Sequence, residues 1–279
     1  MGDVGSTSEV DPVTGRRMLT QSAYVDDCHL RSRQAIGAYA ETPGDPRWRT
    51  SAVDWDGTQV VVDVGCGNGR DLRQLVPQGR CFHAFGIDLS AGMFQSLADL
   101  QGSGRLTLIQ GDAQCLPLRD ETAHVGLAMH MLYHVPDMQA AVRELRRVVK
   151  PGGTVLASTN SASSMTELLE LADAAASSLL RRSVRVLPPL TFTTESGAAV
   201  LATEFSEVAL LRQEGALSFP DAQPVVDYIS TVREPIEQYL GEPFDFDLFT
   251  GELAVRVEQV VQEVGRFRVT TRTGVFVCR

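Results

Sequence analysis

The feature that most constrains the fold is a glycine-rich loop that directly follows a short β-branched run. The run Gln59–Val64 is apolar, which is typical of a buried strand in a parallel sheet. It leads into Gly65-Cys66-Gly67-Asn68-Gly69. Glycines allow a sharp turn and let a ligand approach the backbone, with amides exposed where the next helix begins. The loop therefore predicts a cofactor-binding turn between a strand and a helix.

The flanking sequence alternates between strand and helix patterns. Further strands are predicted at 82–89, 106–110, 123–130, 154–159 and 207–217. Helices are predicted at 71–76, 90–100, 136–149, 164–181, 194–204 and over most of 221–265. The second of these helices is expected to be capped by Ser90, and the fourth to begin with a capping box at 164–167. The segments 266–271 and 274–278 predict a terminal hairpin. Such an order predicts an α/β, doubly wound, Rossmann-like fold, with a mostly parallel seven-stranded sheet, an antiparallel C-terminal hairpin strand and helical cap insertions.

Composition divides the chain into three expected parts. Residues 1–17 offer little to bury and predict a disordered leader, and 18–55 predict an N-terminal helical cap. Residues 56–279 are expected to form one domain with a helical insertion at about 161–265. A monomer or a homodimer is expected.

The bulk properties limit the partners. Lys and Arg number 25 against 35 Asp and Glu, a net charge of −10 that argues against nucleic acid as a partner. The five cysteines form no CxxC pair, which favours free thiols in a reducing cytoplasm. No apolar run approaches the roughly 20 residues of a membrane span. A small molecule is the expected acceptor or ligand, and no metal site is predicted.

The spacing of the glycines discriminates between cofactors. Dinucleotide-binding loops follow G-x-G-x-x-G, whereas the third glycine here comes one residue sooner. Asp63 stands just before the loop and suits a cofactor with an ammonium group better than a pyrophosphate.

Five blocks in order resemble one family. Val62–Gly69 is similar to the signature of class I S-adenosylmethionine-dependent methyltransferases, and four later blocks agree: Gly86–Ser90, Gly111–Ala113, Leu132–Val135 and Arg147–Gly153. The best match is the methyltransferase type 11 subgroup, which includes ubiquinone- and menaquinone-biosynthesis and natural-product enzymes. The resemblance implies methyl transfer from S-adenosylmethionine to an O, N or C atom of a small-molecule acceptor, with S-adenosylhomocysteine as product. The acceptor class that it suggests is a secondary metabolite.

The resemblance also implies roles for individual residues. Asp63 and the backbone of Gly65, Cys66 and Gly67 would hold the methionine end of the cofactor, and Asp88 the ribose hydroxyls. The adenine side is expected to involve Leu89, Met93, Asp112 and Ala113; Met129 would lie beside the cofactor, and Tyr24 and Arg33 would close over it. Taken singly, Asp88 could instead cap a helix and Asp112 could sit in a turn.

Two histidines are candidates for a general base. His130 and His134 follow the fourth strand, at the edge where ligands bind in such sheets. Histidine titrates near neutral pH, which suits a base if the acceptor must lose a proton. The alternative is that His134 only orders its loop. Tyr133 is expected to be a pocket wall.

Two other functions remain open at this point. A nicotinamide-dependent oxidoreductase could also use Asp88 to hold a ribose, although the glycine spacing and the lack of a Tyr-x-x-x-Lys set oppose it. A non-catalytic S-adenosylmethionine-binding module would keep the same loop.

Overall fold

The computed structural model describes residues 14–45 and 47–279, so residues 1–13 of the expected leader lie outside it. The strands are β1 (Val60–Val64), β2 (His83–Asp88), β3 (Leu106–Gln110), β4 (Ala123–Met129), β5 (Val149–Asn160), β6 (Val208–Phe219) and β7 (Phe267–Cys278). They form one sheet in the order β3-β2-β1-β4-β5-β7-β6. Strands β1 to β5 are parallel, and β7 is antiparallel to both β5 and β6. The predicted α/β fold class is confirmed.

The helices flank this sheet. They are α1 (Arg16–Met18), α2 (Cys28–Ala35), α3 (Leu72–Leu75), α4 (Ala98–Gln101), α5 (Met138–Val148), α6 (Thr166–Leu180), α7 (Gly197–Leu201), α8 (Gln223–Ser230), α9 (Arg233–Leu240) and α10 (Phe246–Val264). One π-helical turn covers Leu19–Ala23, and 3₁₀ turns cover Ile36–Tyr39, Trp48–Thr50, Ala91–Leu97 and Leu132–His134. No helix in the described part of the chain has both the length and the apolar character needed to cross a bilayer.

Helix α5 shows how the sequence pattern produces the packing. Its N-terminus is capped by the Asp137 carboxylate, which accepts the Ala140 amide at 2.9 Å. The predicted apolar stripe is buried at Ala141, Val142 and Leu145, which pack in the core cluster on one face of the sheet. Leu72 and Leu97 pack on β1 in a second cluster, and α6, α8 and α10 enclose a third with the far ends of β6 and β7.

The predicted terminal hairpin is wrong in its details. Residues 267–278 form the single strand β7, with no turn at 272–273. Its hydrogen-bonding partner is β6, which is paired along its full length. Strand β6 lies within the segment 161–265, so this segment contributes a strand to the central sheet in addition to its helices. The expected domain boundaries stay a prediction.

Two predicted helix caps are also wrong. The Ser90 side chain makes no capping hydrogen bond. At α6, Met165 occupies the N-cap position with a left-handed backbone. The Glu167 carboxylate accepts from the amide of Thr270 on β7 instead of closing a capping box. The Ser164 and Glu167 side chains thus accept from amides of β7, a strand distant in sequence, which local spacing could not reveal.

A buried ion pair fastens the N-terminal segment to the domain. Arg49, in the 3₁₀ turn before β1, donates to both carboxylate oxygens of Asp71, at 2.7 and 2.9 Å from Nη2. The two side chains are only 8% and 7% exposed. Each charge is therefore tolerated in the interior because the other compensates it.

Arg49→Met is expected to destabilise the protein by about 3–5 kcal/mol, because it leaves the Asp71 carboxylate buried without a partner. The double variant R49M/D71L should recover much of this loss, since no unpaired charge remains. Urea unfolding monitored by circular dichroism measures both. Arg47→Met removes an exposed ion pair with Asp45 and serves as the control, with little change expected. Equal losses in the single and double variants would contradict the interpretation.

Candidate active site

One continuous cavity of about 1780 Å³ runs along the edge of the sheet where the parallel strands end. The residues at this edge that line it include Asp88 after β2, Asp63 on β1, Met129 and His130 at β4, and Asn160 on β5. Ligands bind outside the carboxyl ends of the strands in open α/β sheets, because loops there diverge and leave a crevice. Single-ligand pockets usually measure about 300–1,000 Å³, so this cavity has room for two small ligands.

The glycine loop forms the floor of the cavity. The amides of Gly65 and Cys66 both donate to the Ile87 carbonyl, at 2.7 and 3.0 Å. Gly65 has φ of +68°, and a Cβ there would lie 2.8 Å from the Cβ of Met131. Any other residue would therefore be strained in backbone and side chain alike.

Asp63 is buried at the start of this loop with one oxygen unsatisfied. It is 2% exposed, and its Oδ1 atom has no hydrogen-bond partner within the described residues. Burial, and then the nearby Asp71 carboxylate, raise the pKa of Asp63 well above its usual range. A buried polar atom without a partner is costly. The position therefore favours a ligand that brings a hydrogen-bond donor or a positive charge.

Asp88 joins the glycine loop to the loop after β2. Its Oδ2 accepts the Gly67 amide at 2.8 Å, and its Oδ1 accepts the Ser90 amide at 2.9 Å. Burial raises the pKa of Asp88, although these amides counteract the effect. The alternative of a local cap is thus observed. Since each carboxylate oxygen has a further lone pair, hydroxyls in the cavity can still be accepted.

The residues predicted on the adenine side divide into two groups. Leu89, Asp112 and Ala113 line the cavity, as do Cys66, predicted at the methionine end, and Met129 at the end of β4. Met93 is completely buried and does not appear on the cavity wall.

Asp112 is engaged on both oxygens. Its Oδ1 accepts from the amide and side chain of Gln114, as the turn alternative requires. Its Oδ2 pairs with Arg16 of α1 at 3.1 Å, and the Asp112 side chain is 30% exposed. The N-terminal segment therefore reaches across the cavity mouth to this carboxylate.

The N-terminal cap also supplies a polar chain on the roof of the cavity. Arg33 Nη1 donates to the Tyr24 hydroxyl at 3.0 Å, and that hydroxyl lies 3.0 Å from Nε2 of His134. The second nitrogen, Arg33 Nη2, is buried without a partner within the described residues. Tyr133 packs edge-to-face against His134. The structure thus brings together Tyr24, Arg33 and His134, which sequence reasoning could only assign separately.

His130 ends β4 in an unusual conformation. Its φ is +55°, and its amide is 3.1 Å from both the carbonyl and the hydroxyl oxygen of Ser158. Burial against the cavity wall, and then the positive charges of Arg49 and Arg70, lower the pKa of His130 to about 3. It is consequently neutral at physiological pH. A base works best with a pKa near the working pH, so His130 is the weaker of the two candidates.

Several wall residues were not predicted from the sequence. Arg49 and Asp71 line the cavity as an ion pair, and Tyr228 of α8 and Met165 line it from the C-terminal half. Asp71 follows the glycine loop directly, but nothing in its spacing identifies Arg49 as its partner. Among the described residues, no group of three or more His, Cys, Asp or Glu side chains is arranged to hold a metal ion.

Comparison with known proteins agrees with this geometry. The profile of a family described as "Methyltransferase domain" matches residues 62–157, the segment that runs from β1 to β5. Residues 62–157 are therefore similar to the domain that this profile describes. A ubiquinone/menaquinone biosynthesis C-methyltransferase of Syntrophotalea carbinolica is 32% identical over 117 residues, which are 40% of this chain and 49% of that protein. The chain thus spans about half the length of this relative.

Solved structures share the fold of the whole chain. Phosphoethanolamine N-methyltransferase 2 of Haemonchus contortus, in a complex with S-adenosylhomocysteine, aligns with a TM-score of 0.54 and 18% identity, over 95% of this chain and 59% of that one. The [4+2]-cyclase SpnF aligns with a TM-score of 0.54 and 16% identity, over 97% of both chains. These likenesses show that the chain shares this fold.

The lowered pKa of His130 predicts a pH-dependent stability. Below pH 6.5 the unfolded chain takes up a proton at this position and the native state does not, so stability falls as the pH drops from about 6.5 towards 3. Asparagine tolerates the same positive φ. His130→Asn should therefore reduce the pH slope of the unfolding free energy by at most about 1.4 kcal/mol per pH unit. Urea titrations from pH 4.5 to 8 test this; parallel curves for the two proteins would contradict it.

Proposed function

We propose that this chain transfers the methyl group of S-adenosylmethionine to an O, N or C atom of a small organic acceptor. The observation that carries the proposal is a pair of buried, unsatisfied side-chain atoms of residues that line the cavity, the acceptor Asp63 Oδ1 and the donor Arg33 Nη2. A free amino acid end carries an ammonium and a carboxylate. Because these two groups need an acceptor and a donor respectively, the orphaned atoms are complementary to the methionine end of the cofactor.

The remaining cavity residues fit the adenosine end. Asp88 can accept from ribose hydroxyls, Leu89 offers an apolar surface, and the Ala113 amide lies at the adenine side. On cofactor binding, Asp112 would lose its contact with Arg16 and accept from the adenine amino group instead. The Arg16–Asp112 ion pair would then close the adenine end of the cavity reversibly. Met93 lies behind the wall, so its role would be to support the adenine pocket from beneath.

The cofactor supplies an activated sulfonium methyl group, so the chain's task is to position the acceptor and exclude water. The N-terminal cap excludes water by covering the glycine loop. Gln34 of α2 exchanges two hydrogen bonds with Asn68, at 2.9 and 3.3 Å. Leu30 reaches the loop so closely that a Cβ at Gly67 would lie 3.0 Å from its Cδ2.

Proton removal from the acceptor is assigned to Tyr24 and His134 together. The Tyr24 oxygen accepts from Arg33 and lies 3.0 Å from His134 Nε2, so the Tyr24 hydroxyl can donate to that nitrogen when the imidazole carries its proton on Nδ1. An acceptor hydroxyl or amine that displaces this contact would present its own proton to the same nitrogen. His130 would act as a neutral wall residue beside the reacting atoms.

The wider setting of the reaction is also a proposal. A secondary metabolite is the acceptor class that the resemblance suggests, and a cytoplasmic enzyme acting as a monomer or homodimer fits the acidic composition and free thiols. The net charge of −10 opposes a nucleic-acid substrate. The methyltransferase-domain match opposes the nicotinamide-dependent alternative.

Isothermal calorimetry with S-adenosylhomocysteine tests the cofactor assignment. Asp63→Asn is expected to weaken binding about 10- to 100-fold, because it removes a charged hydrogen bond to the ammonium group. Arg33→Met should weaken it by a similar factor through the carboxylate. Asp54→Asn, at an exposed carboxylate before β1, is the matched control and should bind like the wild type. Binding of NAD but not of S-adenosylhomocysteine would refute the proposal.

Steady-state kinetics on an acceptor found by screening with methyl-labelled cofactor test the proposed base. His134→Asn should lower kcat by about 10²- to 10⁴-fold, with binding of S-adenosylhomocysteine changed less than about threefold. Tyr24→Phe should also lower kcat, because it breaks the contact with Arg33. If the activity loss in His134→Asn equals its loss of cofactor binding, His134 is a binding residue and not the base.

A further inference from the structure

A row of polar side chains crosses three strands at the far end of the cavity. Asn160 on β5 is registered with Thr273 on β7, and Thr273 with Gln213 on β6. Registered neighbours project to the same face of a sheet, as do residues two positions apart, which adds Thr271. All four line the cavity and are half-buried. We call these four residues the polar row.

The polar row faces the cavity in the described part of the chain. Asn160, Gln213, Thr271 and Thr273 line the cavity with half-buried side chains, and none of their atoms is among the buried polar atoms without a partner. Amides and hydroxyls that are accessible from a cavity can both donate and accept hydrogen bonds there. Two amides and two hydroxyls facing a cavity therefore offer a set of neutral donors and acceptors to a ligand.

The charges beside the polar row are already compensated. Arg272 pairs with Glu214 at 3.4 Å and donates to the Ser163 carbonyl. Arg268 pairs with Glu41 at 2.9 Å. Each of these guanidinium groups therefore has a carboxylate beside it, which makes this end of the cavity less attractive to an anionic ligand group than to a neutral one.

Apolar side chains line the same cavity as the polar row. Met165, Tyr228, Leu217 and Ile36 line the same cavity, and the Tyr228 hydroxyl contacts the Met165 sulfur at 3.6 Å. A ligand group bound here thus meets hydrogen-bonding groups from the sheet and carbon surface from the helices. A sugar ring has this division, since its hydroxyls project outward and its C–H groups form an apolar face.

The sheet order gives the distance to the reacting end. Strands lie about 4.8 Å apart, so β7 lies about 10 Å and β6 about 14 Å from β4, where His130 and the proposed methyl transfer are located. We propose that the acceptor carries a neutral, hydroxyl-rich group with the chemistry of a sugar unit, which the polar row binds about 10–14 Å from the methylated atom. This inference rests on the proposed function for its reacting end only.

Saturation-transfer NMR on the full chain with saturating S-adenosylhomocysteine tests the proposal. The probes are methyl β-D-glucopyranoside as a neutral sugar, methyl β-D-glucuronide as its anionic counterpart, and cyclohexanol as a mainly apolar ring. The glucoside should bind best. Gln213→Leu and Thr273→Val should each weaken it roughly three- to tenfold, whereas Gln262→Leu, exposed on α10, should not.

The outcomes separate the two proposals. Calorimetry with S-adenosylhomocysteine on each variant shows that it folds and that its cofactor end is intact. If S-adenosylhomocysteine binds but the glucoside gives no saturation transfer, or the glucuronide or cyclohexanol binds better, the polar row does not recognise a neutral sugar unit. Equal glucoside binding by Gln213→Leu, Thr273→Val and the wild type also overturns it. If S-adenosylhomocysteine itself does not bind the wild type, the proposed function fails instead.

Discussion

The candidate site depends on the Asp88 carboxylate, which connects two loops by hydrogen bonds. It accepts one amide from the glycine loop after β1 and another from the loop after β2. The Ile87 carbonyl, one residue earlier, accepts the first two amides of the glycine loop. Two loops from adjacent strands are thus held at a fixed separation by groups that all belong to the end of β2. The amides of Gly65, Cys66 and Gly67 are satisfied in this way, whereas the side-chain atom Asp63 Oδ1 beside them is not.

The N-terminal segment is the second element of the site, since it adds specific polar contacts with the domain to the apolar packing of Leu30 and Tyr39. Arg16 reaches Asp112, Gln34 pairs with Asn68, and the Glu41 amide donates to the Ala216 carbonyl at 2.9 Å on the edge strand. Only the Arg49 pair with Asp71 is buried. An exposed ion pair such as that of Arg16 contributes little to stability. The segment is therefore anchored next to β1, while its contacts at the cavity mouth are weak enough to exchange for a ligand.

The cavity combines residues of two origins. The half proposed to bind the cofactor comes mainly from 63–134, where successive residues follow successive strands, with Tyr24 and Arg33 added by the N-terminal cap. Its other half comes from β5, β7 and β6, in which Asn160, Thr273 and Gln213 are spatial neighbours but far apart in sequence. Local periodicity predicts that 267–278 is extended, but it cannot say which strand pairs with it. For the same reason the hairpin prediction and the capping box at Ser164 were wrong: β7 supplies the partners of both.

The sequence by itself determined the strand–glycine loop–helix unit, the parallel βα alternation and the apolar face of α5. These depend on short-range rules, namely the freedom of glycine at positive φ, the burial of β-branched runs and the helical period. Only the tertiary structure decided which polar atoms lack partners, since satisfaction depends on every neighbour. It left Asp63 Oδ1 and Arg33 Nη2 without partners among the described residues, placed the Tyr24 hydroxyl 3.0 Å from His134 Nε2, and lowered the pKa of His130 by surrounding it with protein and two arginines. Burial and long-range pairing set these properties, and neither is encoded in the spacing of residues along the chain.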